Sequence, residues 1–206
     1  NVFKTEGTMN LNVLKSAVIY GANAAGKSNL LLAVRAMREL VLQSASNLQV
    51  GEKIEVYPFK LDSESITKPS EFEVVFIAEG IRYQFGFSAT EDQIIDEWLY
   101  AYPKGRPQKW YYRSWDVERQ DYDWDIGSSL MGEKQVWQRS TRNNALFLST
   151  AVQLNSEQLK PVFNWFKKTL RLSSISGWGS TYSAKRCADE NKSDILNFLK
   201  AADIAI

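Results

Sequence analysis

The stretch "SAVIYGANAAGKSNLLLAV", residues 16–34, decides how the rest of the chain is read. A short apolar run breaks into a loop of small residues, and apolar positions resume after a Lys-Ser pair at helical spacing. Residues 14–20, "LKSAVIY", predict a strand buried on both faces, the kind found in parallel sheets. Beyond the loop, Leu30, Val34, Met37 and Val41 stand at i, i+4, i+7 and i+11, which predicts a helix over 27–46 ending in the polar "QSASNLQ".

Between strand and helix, Gly21-Ala22-Asn23-Ala24-Ala25-Gly26-Lys27-Ser28 matches G-x-x-x-x-G-K-[ST]. Phosphate oxygens need several backbone N–H groups converging on one point. A tight loop of small residues feeding a helix N-terminus supplies them, and the helix dipole favours the anion. Gly26 lets the backbone come close, Lys27 reaches the β- and γ-phosphates, and the Ser28 hydroxyl can ligate Mg²⁺. A chance match in a chain of this length has a probability on the order of 1%.

Composition narrows the rest. The 206 residues are 44% hydrophobic and 24% charged, with a formal net charge of +1, which fits a globular protein rather than a disordered or globally basic nucleic-acid binder. No apolar run reaches the roughly 18 residues that span a bilayer, and no basic-then-apolar leader opens the chain. A reducing cytoplasm is the expected compartment, because the lone Cys187 has no partner for an internal disulfide. With no histidine, Cys/His zinc sets, Ser-His-Asp and Cys-His nucleophiles and histidine general bases are all excluded. The chain opens "NVFKTEG" without Met and stops at "KAADIAI" within a predicted helix, so a fragment is expected.

Past residue 50 the texture changes. "SEFEVVFIAEGIRYQFGFSA" holds two β-branched and aromatic runs joined at Glu79-Gly80, a hairpin signal, and "DQIIDEWLYAYP" and "QKWYYRSW" add strands. Residues 70–113 thus predict an antiparallel meander, and the polar stretch 114–144 predicts loop with one short strand at most. Leu159, Val162, Phe163, Phe166 and Leu170 mark an amphipathic helix with Asn155 or Ser156 as N-cap and Pro161 tolerated near its first turn. The stretch "SSISGWGSTYS" reads as loop, and Ser193 caps a last helix carrying Ile195, Leu196, Leu199 and Ala202.

The loop "GANAAGKSN", with Asn23 at its third position and Asn29 after the Ser, resembles the G-x-N-G-x-G-K-[ST]-[NT] form of the ABC-type ATPases of the RecF, SMC and DNA-repair group. Ala24 replaces a glycine of that form, and a positive φ there would cost an alanine about 1 kcal/mol. With "PSEFEVVFI", "IRYQFGF", "EWLYAYP", "NALFLS" and "LNSEQLKPVFNWF", residues 14–206 resemble bacterial AAA-type ATP-binding proteins related to the overcoming-lysogenization-defect (OLD) nucleases. The resemblance implies an α/β P-loop NTPase fold, the N-terminal lobe of an ABC-type ATPase. Residues 1–50 would hold the loop strand and helix, 51–150 an antiparallel β subdomain, and 151–206 the start of a helical region. It further implies ATP and Mg²⁺ as cofactors, with Gly21, Ala22, Asn23, Ala24, Ala25, Gly26, Lys27, Ser28 and Asn29 binding nucleotide and Ser28 binding metal. A dimer or larger homo-oligomer formed head to tail around ATP, and a nuclease or toxin partner in antiphage defence, are the expected partners.

A complete site of that type needs an apolar strand ending in Asp-Glu, a signature helix and a switch histidine. The string Ile94-Ile95-Asp96-Glu97 continues into strand-like "WLYAYP" and reads as part of the meander, with the acids at its edge or in a turn. No LSGG-like signature is present, so the C-terminal lobe is expected to lie elsewhere and turnover by this stretch alone is not expected. Gln153 occupies a place for the Q-loop glutamine that senses Mg²⁺ and water, or else is an exposed helix-entry residue without a role. Two alternatives stay open beside the ATPase that controls an effector: a scaffold in which ATP is structural, and a DNA-repair ATPase. A transporter subunit is disfavoured by the long aromatic meander.

Five of the seven Trp lie between residues 98 and 137, among Tyr100, Tyr102, Tyr111, Tyr112 and Tyr122 and the basic Lys104, Arg106, Lys109 and Arg113. Three readings stand: the packed face of a sheet, a protein interface, or a nucleic-acid surface. The acids Asp116, Glu118, Asp121, Asp123 and Asp125, which would repel phosphate, weigh against the last. Lys167, Lys168 and Arg171 read as a solvated helix face, and Cys187 as an inert thiol.

Overall fold

The computed structural model describes residues 2–4, 12–59 and 62–173, with isolated positions at 188, 192–193 and 196–197. Residues 1–170 form one compact unit and 171–206 a second. The glycine-serine loop after Ser173, Cys187 and most of the helix expected from Ser193 lie outside the described residues.

The meander is present and larger than predicted. Strands β3 (Ser70–Ala78), β4 (Ile81–Ala89), β5 (Ile94–Tyr102), β6 (Gln108–Asp116) and β7 (Asp121–Ile126) form one antiparallel sheet in chain order. Its first turn follows from two residues: Glu79 and Gly80 both take positive φ, 49° and 75°, the pattern of a two-residue hairpin whose twist matches its strands. Alternation then sorts the side chains. One face carries two rows across all five strands: Phe72, Phe87, Glu97, Arg113 and Trp124, and Val74, Phe85, Leu99, Tyr111 and Ile126.

Helix α1 (Lys27–Gln43) packs on that face through its C-terminal half, where Met37, Leu40 and Val41 are buried. The predicted stripe holds only there, because Leu30 is 51% exposed. Helices α2 (Lys134–Ser140), α3 (Phe147–Gln153) and α4 (Lys160–Asn164), the last continuing into a wider π turn over Trp165–Thr169, complete the cover. All of them contribute to one core, with Trp137, Phe147, Leu148, Leu159, Val162 and Phe166 buried.

Four expectations are corrected. Residues 14–20 are not a doubly buried strand: β2 (Asn12–Leu14) pairs antiparallel with β1 (Val2–Lys4), and Val18, Ile19 and Tyr20 are 71%, 59% and 88% exposed. A strand is covered on both faces only inside a sheet, and among the described residues no strand pairs with 15–20. The stretch 114–144, read as loop, contains α2, a helix too short for periodicity to show; its Trp137 packs edge-on against Phe147, ring centres 6.4 Å apart. Asn155 does not cap the helix that follows. With φ 66° it ends α3 instead, its N–H bonding Val152 O while Ser156 N–H bonds Ala151 O, the Schellman pattern. Ser156 is buried beside it, and α4 begins after Leu159. Finally, Asp96 and Glu97 sit in the middle of β5, not at its edge, and Glu97 is fully buried.

None of the five Trp between 98 and 137 is exposed, so the packed-sheet reading of the aromatics is the one the structure supports. On the outer face, Trp98 Nε1 donates to Glu73, Tyr102 OH to Gln84 and Tyr112 OH to Asp96. Lys167 and Lys168 are exposed, as expected.

Candidate functional site

Residues 21–28 leave the exposed stretch 15–20 and turn into α1 through two left-handed residues, Ala24 at φ 65° and Gly26 at φ 80°. Gly26 is the N-cap of α1, and a side chain there would meet nothing within 4 Å; backbone conformation, not crowding, makes glycine the fitting residue. Ala25 N–H bonds Ala22 O at 3.3 Å and Asn29 N–H bonds Gly26 O at 2.9 Å, which closes the loop onto the first helical turn. Across it, Lys27 Nζ donates to Gly21 O at 2.8 Å and to Ala22 O at 2.5 Å. The ammonium is thereby folded back onto the first two residues of the loop.

The local charge suits an anion. No acidic residue lies in the first turn of α1, so the helix dipole and Lys27 act unopposed by a neighbouring carboxylate there. For Mg²⁺ the donors are sparse: among the described residues no group of three or more His, Cys, Asp or Glu could hold a metal ion.

Gly21 to Asn29 are therefore brought together as one exposed loop, and Gln153 stands apart. It is the last residue of α3, exposed at a helix end rather than at a helix entry. Leu146 N–H bonds Ser44 Oγ at 3.1 Å and Ser149 Oγ bonds Val41 O at 2.6 Å, so α3 runs back along the far half of α1. Val41 is about 20 Å along the helix from Lys27, and four residues beyond Ser149 recover about 6 Å of that at most.

One cluster was missed by sequence reasoning. Glu97 accepts from Tyr111 OH at 2.9 Å, from Arg113 Nε at 3.0 Å, and from the N–H groups of Phe147 and Leu148 at 2.7 and 3.0 Å. Arg113, also fully buried, adds a second nitrogen at 2.9 Å and donates to Ala145 O at 2.6 Å. The carboxylate so satisfies the first free N–H groups of α3, whose own N-cap, Leu146, has no side-chain acceptor. The signal was an acid and a base at inward positions of two strands, visible only once the register is known. Burial and the adjacent Glu97 charge push the Tyr111 phenol well above its ordinary value.

A small-residue loop closed over a lysine and set beside an antiparallel sheet defines the class as a P-loop nucleotide-binding domain of mixed α/β build. Residues 16–182, well over half of the chain, match the family described as "AAA domain, putative AbiEii toxin, Type IV TA system". The chain belongs to that family and, through it, to the AAA/ABC-like P-loop ATPases. No curated protein and no solved structure matches it. Among the described residues, no helix is long and apolar enough to cross a membrane.

Proposed function

We propose that the chain is the nucleotide-binding part of an ABC-type ATPase that dimerises on ATP and controls a nuclease or toxin effector in antiphage defence. The observation that carries the ATP site is the Lys27 ammonium anchored on Gly21 O and Ala22 O, over a loop opened by Ala24 and Gly26. In this reading Lys27 binds the β- and γ-phosphates, Ser28 holds Mg²⁺ with them, and the loop N–H groups other than those of Ala25 and Asn29, which bond Ala22 O and Gly26 O, complete the cradle. Bound Mg²⁺ would supply charge neutralisation between phosphate oxygens. Gln153 joins the site only if the end of α3 approaches the loop on dimerisation. The effector role leans on the toxin–antitoxin wording of the family description and on the resemblance of the sequence motifs to the ATPase domains of OLD nucleases.

In the full-length protein, Lys27→Ala is expected to weaken binding of a labelled ATP analogue by on the order of 100-fold, the loss of charge-assisted hydrogen bonds to phosphate. Unchanged affinity would sink the proposal. Phosphate release by the intact protein separates turnover from a scaffold in which ATP is structural.

A further inference from the structure

From the structure we infer that the nucleotide base is held in a groove beside the loop, stacked on Tyr57 and Phe59. This rests on the phosphate-loop reading above and adds the base subsite to it. The groove, about 560 Å³, starts at Asn29, the residue after Ser28. Its floor is one stripe of α1: Asn29, Leu32, Ala33 and Ala36 stand at i, i+3, i+4 and i+7. Alanines at the last two positions leave room for a flat ring. Tyr57 and Phe59 line the same groove from the segment after α1.

Tyr57 is 73% exposed and Phe59 59%; among the described residues only Tyr20, beside the loop itself, is a ring as open, at 88%, while the sheet and helices bury or half-bury the other described aromatics. Large apolar rings left in water beside a phosphate loop are what a base needs, since every base offers a π face and stacking tolerates sequence. Glu55 and Glu71 also line the groove, and their carboxylates can accept from the exocyclic amino group of adenine.

The test compares a non-hydrolysable ATP analogue with inorganic tripolyphosphate, titrated calorimetrically into the full-length protein. Tyr57→Ala, or the double variant with Phe59→Ala, is expected to weaken the ATP analogue by about 10-fold or more and to leave tripolyphosphate unchanged. Tyr57→Phe retains the ring and should restore wild-type affinity for the analogue. Equal loss of both ligands, or no loss of either in the double variant, would overturn the base subsite. Lys27→Ala serves as the control: loss of both ligands there, with no selective effect at Tyr57 and Phe59, ends this inference alone. Retention of both by Lys27→Ala ends the phosphate-loop reading and this one with it.

Discussion

Ala24 holds a left-handed backbone, φ 65°, at the position where the resembling loops carry glycine. An L side chain in that region costs on the order of 1 kcal/mol because Cβ crowds the neighbouring carbonyl. The left-handed angle is present without nucleotide, so the strain is carried by the folded chain whether or not the loop is occupied. Ala24→Gly is therefore expected to change stability by under about 1 kcal/mol in chemical denaturation, the relieved strain set against the freedom glycine gains in the unfolded chain, and to leave the affinity for an ATP analogue within about twofold. Tightening of about fivefold or more would show that the loop takes up this strain only when nucleotide is bound. This position was legible from the residues, because the motif spacing places Ala24 before its backbone angle is known. Tyr57 and Phe59 were not, since nothing local in "VYPFKLD" says that their rings stay exposed beside Asn29.

Elements were legible where a local rule decides them. The hairpin at Glu79-Gly80 follows from two turn residues between two β-branched runs. The end of α3 misleads for the same reason, because Asn155 suits a helix start and a left-handed helix stop equally well, and only the Ser156 N–H to Ala151 O bond decides between them. Glu97 and Arg113 lie beyond any local rule: their pairing is set by the β5–β6 register, and the helix they cap starts fifty residues after Glu97. That link predicts a large effect. Arg113→Met leaves the Glu97 charge buried with fewer donors and is expected to cost about 3–5 kcal/mol in chemical denaturation. Adding Glu97→Leu is not expected to recover that loss, because it leaves the Phe147 and Leu148 N–H groups and the Tyr111 hydroxyl buried without their acceptor. A loss under 1 kcal/mol in the single variant would mean that the Phe147, Leu148 and Tyr111 donors suffice.

At the scale of the whole molecule, the antiparallel unit was readable from alternation, whereas the exposure of Val18, Ile19 and Tyr20 was not, because an apolar run states a preference for burial without stating what will cover it. The same sheet sets how the fold answers to alkali. Burial, with Glu79 nearby, pushes the Tyr83 phenol up to about 12; burial and the hydrogen bond to Asp96 do the same for Tyr112. Burial and the adjacent Glu97 charge raise Tyr111 well above its ordinary value, and burial raises Tyr122 as well. Each folded value exceeds the unfolded one near 10, so above pH 10 the unfolded chain has lost phenolic protons that the folded chain keeps. Deprotonation then favours unfolding, and stability is fully present below about pH 10 and falls as pH rises through 12. Guanidinium midpoints measured from pH 8 to 12 should be flat at first and then decline, with tyrosinate absorbance appearing late and together with unfolding. Tyr83→Phe removes one of the shifted phenols and should make the decline shallower. A midpoint that stays level to pH 12, or tyrosinate absorbance that develops fully in the folded protein near pH 10, would show that the sheet does not hold these phenols in their neutral form.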